Sequence, residues 1–155
     1  MLEIYTVSFF GHRKIEHFEK LEDQLIQLIQ NLTKKNEFVK FLVGRNGEFD
    51  QLVSSTIRKA QKKIGNDRCL HTLVLPYETA EFRNNRQTFL EYYDTVEIFQ
   101  SKKHLHFKNS ILARNFQMVD RSQLIIFYLD HEFGGAFQTY QYARKQKSQI
   151  FKLKQ

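Results

Sequence analysis

FLVGRNGEFD, Phe41 to Asp50, passes from an apolar run into a glycine-bracketed polar turn and out into an amphipathic stretch. A buried strand that breaks at Gly44, turns through Arg45 and Asn46 and starts a helix at Gly47 is how an open α/β sheet presents a ligand crevice at the carboxyl end of a strand. The stretch therefore predicts one lip of a nucleotide-sized site.

The same grammar extends in both directions. Ile4 to Phe10 reads as a strand buried on both faces, ending at Gly11-His12-Arg13. Leu21, Leu25, Leu28, Ile29 and Leu32 then recur at helical spacing before the strand Phe38 to Val43. Phe49, Leu52, Val53, Ile57, Ala60 and Ile64 form the stripe of a second helix, closed by Gly65-Asn66. A third strand spans Leu70 to Leu75. The polar, aromatic-rich segment Thr79 to Asp94 reads as a helix-containing excursion over the site, and Val96 to Phe99 as a short strand. Phe107, Ile111, Met118 and Val119 mark another helix, Leu124 to Leu129 the strongest strand, Ala136 to Ala143 a last helix and Ile150 to Leu153 a final strand. Strands alternating with crossover helices predict a single Rossmann-like, doubly wound α/β domain over residues 1–155, its sheet mostly parallel with helices on both faces.

Composition bounds the partners. The chain of 155 residues carries a formal net charge of +7, which favours phosphate-bearing ligands, nucleotides or a nucleic-acid backbone; a solvated basic surface is the competing reading. Cys69 stands alone, so no internal disulfide is available, and a small buried strand residue is the simpler account of it. The apolar runs fall short of the roughly 20 residues a membrane span needs. A cytoplasmic protein without membrane contact is expected.

Three loops follow three strands and share one edge of a parallel sheet: Gly11-His12-Arg13, Gly44 to Asp50, and Asp130 to Gly135. None fits G-x-G-x-x-G or the P-loop pattern. Gly134-Gly135 opening a helix is the best phosphate cradle, since small residues admit an anion to the free N–H groups there; a plain turn is the alternative. Glu48 and Asp50 at a helix start would repel phosphate but can accept hydrogen bonds from ribose hydroxyls, or simply complement the helix dipole. Arg13, Arg45 and Arg114 are candidate forks for phosphate. Tyr77, Tyr92 and Tyr93 offer faces for a base or belong to the core. His104-x-His106 lacks nearby ligands, so no metal site and no cofactor are assigned.

SFFGHR (Ser8 to Arg13), VGRNGEFD (Val43 to Asp50), LVLPY (Leu73 to Tyr77) and ARNFQMVDRSQLIIFYLDHEFGGAFQTY (Ala113 to Tyr140) together resemble the SLOG superfamily, which includes the LOG phosphoribohydrolases and the DNA-processing protein DprA. The nearest look is to small proteins of the YpsA and YoqJ type. LOG-type enzymes carry R-K-x-x-M before a strand ending in P-G-G-x-G-T-x-x-E. Arg114 and Met118 match the first part, with Asn115 at the lysine; around Gly134-Gly135, Phe133 stands at the proline and Gln141 at the catalytic glutamate. A glutamine cannot exchange the proton that glycosidic cleavage needs, so Glu48 or Asp50, with Arg114, would have to carry any catalysis. The resemblance implies a nucleotide-binding or sensing domain, with Gly11, His12, Arg13, Gly44, Arg45, Gly47, Gly134 and Gly135 around the ligand. Its alternatives are a nucleoside-monophosphate N-glycosidase and a single-stranded nucleic-acid binder. A homodimer is implied only by the wider superfamily.

Overall fold

The computed structural model describes residues 2–65, 67–101 and 106–155, so Asn66 and His104 lie outside the described residues. Six strands form one all-parallel sheet: β1 (Ile4–Gly11), β2 (Phe38–Val43), β3 (Cys69–Leu75), β4 (Thr95–Ile98), β5 (Leu124–Tyr128) and β6 (Ile150–Lys152), in the spatial order β4-β3-β2-β1-β5-β6. From β1 the chain winds outward through β2 and β3 to β4. It then returns to lay β5 on the other side of β1, with Val7 opposite Leu124. The order reverses between β1 and β5, and a doubly wound sheet leaves a crevice at such a point beyond the carboxyl ends of its strands.

Alternation along each strand builds two cores. Val7 and Phe9 of β1, Phe41 of β2, Leu73 of β3 and Ile126 of β5 join one apolar cluster with α1 (Phe18–Lys35) and α2 (Glu48–Ile64). Phe10, Leu42, Val74, Ile125 and Phe127 point the other way, onto Met118 and Val119 of α5 (Phe107–Asp120) and Ala143 of α6 (Gly135–Lys145). Cys69 is fully buried in the first core, a packing residue. Val7 to Phe10 of β1 and all of β5 are thus removed from water on one face or the other, which is why both strands read as apolar runs.

The Thr79 to Asp94 excursion resolves into two short helices, α3 (Ala80–Asn84) and α4 (Arg86–Tyr92). The Thr79 hydroxyl caps α3 by accepting from the Phe82 N–H at 3.1 Å. Phe82, Phe89 and Tyr93 anchor the pair in the first core. No helix among the described residues is long and apolar enough to cross a membrane.

Candidate functional site

At the carboxyl edge of the sheet the loops after β1, β2 and β5 converge on a cleft of about 460 Å³. Gly11, His12 and Arg13 come from the first loop, Gly44, Gly47 and Asp50 from the second, Gly134 and Gly135 from the third, and Arg114 rises from α5. Arg45 and Glu48, expected here as well, line a second and larger cavity of about 960 Å³, between α2 and the α3–α4 excursion. That excursion covers the groove and is absent from the cleft lining. Gly44 and Asp50 border both spaces.

Close approach explains the glycines of the first two loops. A Cβ at Gly11 would fall 2.4 Å from the Phe49 ring, and one at Gly47 would fall 2.5 Å from the Arg13 Cα. The loops are also stitched together: the Glu48 N–H donates to the Arg13 carbonyl at 2.8 Å, and the Ile15 N–H donates to Glu48 Oε2 at 3.0 Å. One oxygen of the Glu48 carboxylate is therefore committed to holding the β1 loop. Asp50 Oδ2 likewise accepts from the Asn46 N–H at 2.8 Å, closing the turn that the glycines bracket.

Beneath Gly44 a half-buried carboxyl meets a buried guanidinium. A side chain there would meet Asp50 Oδ2 at 2.9 Å and the Arg114 guanidinium at 3.4 Å. Burial raises the Asp50 carboxyl above its usual range, opposed by the Asn46 N–H and by Arg114. Burial also lowers Arg114 to about 10, with Asp50 acting against the shift, so the guanidinium stays charged at neutral pH. Arg114 is only 3% exposed; its Nη1 donates to the Val74 carbonyl at 2.8 Å and its Nε to Asn115 Oδ1 at 3.0 Å. Asn115 in turn donates to Thr139 Oγ1 at 3.1 Å, and that hydroxyl donates to the Gly135 carbonyl at 2.8 Å. A polar chain thus runs from the end of β3 to the first turn of α6.

The two helix starts differ in charge. α2 opens with Glu48 and Asp50, whereas α6 opens at Gly134 (φ 90°) with no acidic residue in its first turn and no side-chain cap. With no cap from a described side chain, its first N–H groups can meet an external acceptor. Arg13 and Lys14 line the same cleft, and neither forms an ion pair with another described residue. Arg45 is spent otherwise: it pairs with Glu81 at 2.8 Å and lies over the Phe89 ring at 4.5 Å.

Lys14, Asn46, Asn115, His131 and Phe133 also line the cleft, and the sequence does not mark them as ligand contacts. Lys14 simply continues the basic run of the β1 loop. His131 and Phe133 sit inside the Asp130 to Gly135 turn, where no periodicity exists to betray an orientation. The His12 and His131 rings stack at 3.4 Å, 17° from parallel, and His131 meets Phe133 at 3.9 Å. Asp130 Oδ1 lies 2.6 Å from His131 Nδ1 and 3.4 Å from His12 Nε2. Burial, then the neighbouring His131, lowers the His12 pKa, with Asp130 opposing. His12, Asp130 and His131 offer metal-ligating atoms within 4.8 Å of one another. Lone pairs of imidazole lie in the ring plane, however, so in two nearly parallel stacked rings they run side by side rather than converging on one ion.

The remaining candidates lie apart. Tyr93 is buried in the core, where desolvation pushes its hydroxyl to about 12; Tyr92 sits under the Arg58 guanidinium at 4.3 Å. Gln141, the counterpart of the LOG-type glutamate, lines a separate depression with Tyr140 and Arg144 on α6 and not the cleft.

No family model matches the chain, and no curated protein matches it in sequence. Its fold does match solved structures. DNA processing protein A from Helicobacter pylori, described for its single-stranded DNA binding mode, superposes with a TM-score of 0.69 at 17% identity, over 97% of this chain and 66% of that one. DprA from Streptococcus pneumoniae gives 0.67 at 12% identity, over 98% of this chain and 51% of the other. The chain thus spans between half and two thirds of the proteins it resembles in fold.

Proposed function

We propose that this domain binds single-stranded nucleic acid, holding the phosphate of a nucleotide unit in the cleft over the β1–β5 switch point. The observation that carries this reading is the meeting of an uncapped, acid-free helix start at Gly134-Gly135 with Arg13 and Lys14, two cations that no described carboxylate neutralises. Such a place attracts an anion through both the helix dipole and the side chains. The net charge of +7 and the fold shared with a DprA described for single-stranded DNA binding favour a polymer over a lone nucleotide.

Fluorescence anisotropy of a labelled oligo-dT, measured across a salt series, tests it. Log affinity should fall linearly with log salt at about 0.7 per phosphate contacted. Arg13→Ala should lower that slope by about one such unit. Absence of binding at low salt, or a flat salt response, overturns the reading. Free nucleoside mono- and triphosphates added as competitors separate it from a nucleotide sensor, for which they would bind at least as tightly as the polymer.

A second reading rests on Asp50. A carboxyl whose pKa is raised in a half-buried wall between two cavities has the property of a general acid, as N-glycosidic cleavage requires. Release of free base from a nucleoside monophosphate, abolished by Asp50→Asn, would establish it; no base release from any of the four common monophosphates removes it.

A further inference from the structure

Phe133 is the most exposed large apolar side chain among the described residues, at 69%. An isolated exposed phenylalanine is ordinary, but this one is mounted. Its ring packs against His131, 3.9 Å between centroids and tilted by 32°, and His131 stacks on His12 at 3.4 Å. His12 is 6% exposed at the end of the central strand, and Asp130 contacts both imidazoles. The result is a three-ring column footed in the core, whose top ring opens at the mouth of the cleft. Phe133 also immediately precedes the bare helix start at Gly134, so a phosphate on those N–H groups would bring its own base within reach of the ring.

We propose that Phe133 is a base-stacking platform, the His12–His131 pair serving as its pedestal, and that it accepts one base of a bound single strand. The inference rests on the nucleic-acid reading above and adds the base to the phosphate. A phenyl face has no hydrogen-bonding groups, so the platform would take any base, with affinity following stacking strength. The pedestal accounts for what the phosphate site leaves unused: a stacked histidine pair whose lone pairs do not converge, beneath an apolar ring held out in water.

The chain contains no tryptophan, so Phe133→Trp introduces a single fluorophore at the platform itself. Unlabelled oligo-dT should quench that emission on binding, while an abasic oligomer of equal length should not. Phe133→Ala should weaken oligo-dT by about 5- to 150-fold, the span of one lost stack, with an unchanged salt slope because no phosphate contact is removed. Phe133→Tyr should bind like the parent. Retained oligo-dT binding with no tryptophan quench and no loss in Phe133→Ala overturns the platform and leaves the phosphate site standing. Failure of the parent protein to bind oligo-dT at low salt overturns the nucleic-acid reading, and the platform falls with it. Because Phe133 is exposed, the melting temperatures of all three variants should equal that of the parent.

Discussion

The cleft and the groove share a wall at Gly44 and Asp50, yet they differ in how far their charges are already used. The groove is twice as large, about 960 Å³ against 460 Å³, but its arginine is paired with Glu81 and stacked on Phe89. In the smaller cleft Arg13, Lys14 and the start of α6 have no described anionic partner. Volume marks where the protein is loosely filled; uncommitted charge marks where a ligand completes it. The pairing of Arg45 within the groove supports reading it as a structural seam, and the cations of the cleft, unpaired among the described residues, support the proposed phosphate site.

The strongest test breaks the wall itself. Arg114→Ala leaves the Val74 carbonyl and the Asn115 amide oxygen without the donor they share, and removes the cation beside Asp50. It should destabilise the fold by about 3–5 kcal/mol in chemical denaturation, damaging both cavities together. A loss below about 1 kcal/mol would show the buried guanidinium to be a ligand contact rather than part of the frame.

A somewhat smaller effect should appear on the groove side alone, as a dependence on pH. His71 is fully buried, its Nε2 is 2.9 Å from the Ser54 hydroxyl, and desolvation holds its pKa down to about 4. A histidine kept neutral by folding takes up protons more readily when unfolded, so its stabilisation is complete above the unfolded pKa of 6.5 and is lost as pH falls toward 4. The loss should approach about 3 kcal/mol at 1.36 kcal/mol per unit, and His71→Gln should flatten that limb of the urea-denaturation profile.

The smallest effect is the most pointed. Arg45→Ala removes a partly exposed ion pair and a cation–π contact, worth about 1 kcal/mol together, and should leave oligonucleotide affinity and its salt slope untouched. A drop in slope matching that of Arg13→Ala would mean that the nucleic acid also runs along the groove.

The sheet was legible because β1, β2, β3 and β5 are buried on both faces and read as apolar runs. The three loops were legible because glycine is where a chain turns tightly or where backbones meet, as at Gly11 against Phe49 and Gly47 against Arg13. What stayed hidden was direction. Whether Arg45 and Glu48 look into the cleft or the groove depends on Glu48 reaching Ile15 and Arg45 reaching Glu81, contacts across 33 and 36 residues that no local pattern encodes. The inner face of α5 was equally obscure, since Arg114 and Asn115 are buried there among Met118 and Val119 and blur the apolar stripe. Phe133 lies in a turn, where only coordinates show that it stands on two histidines.

The pairing of β1 with β5 joins segments 117 residues apart, as the contact of Thr6 with Gln123 records. Strands β1 to β4 and the helices between them can pair as the chain emerges, while the switch point waits for β5 to be made. Groove therefore precedes cleft during synthesis. A nascent chain halted before Leu124 already owns four neighbouring strands but lacks β5 and the start of α6, so the cleft takes shape only once both have emerged.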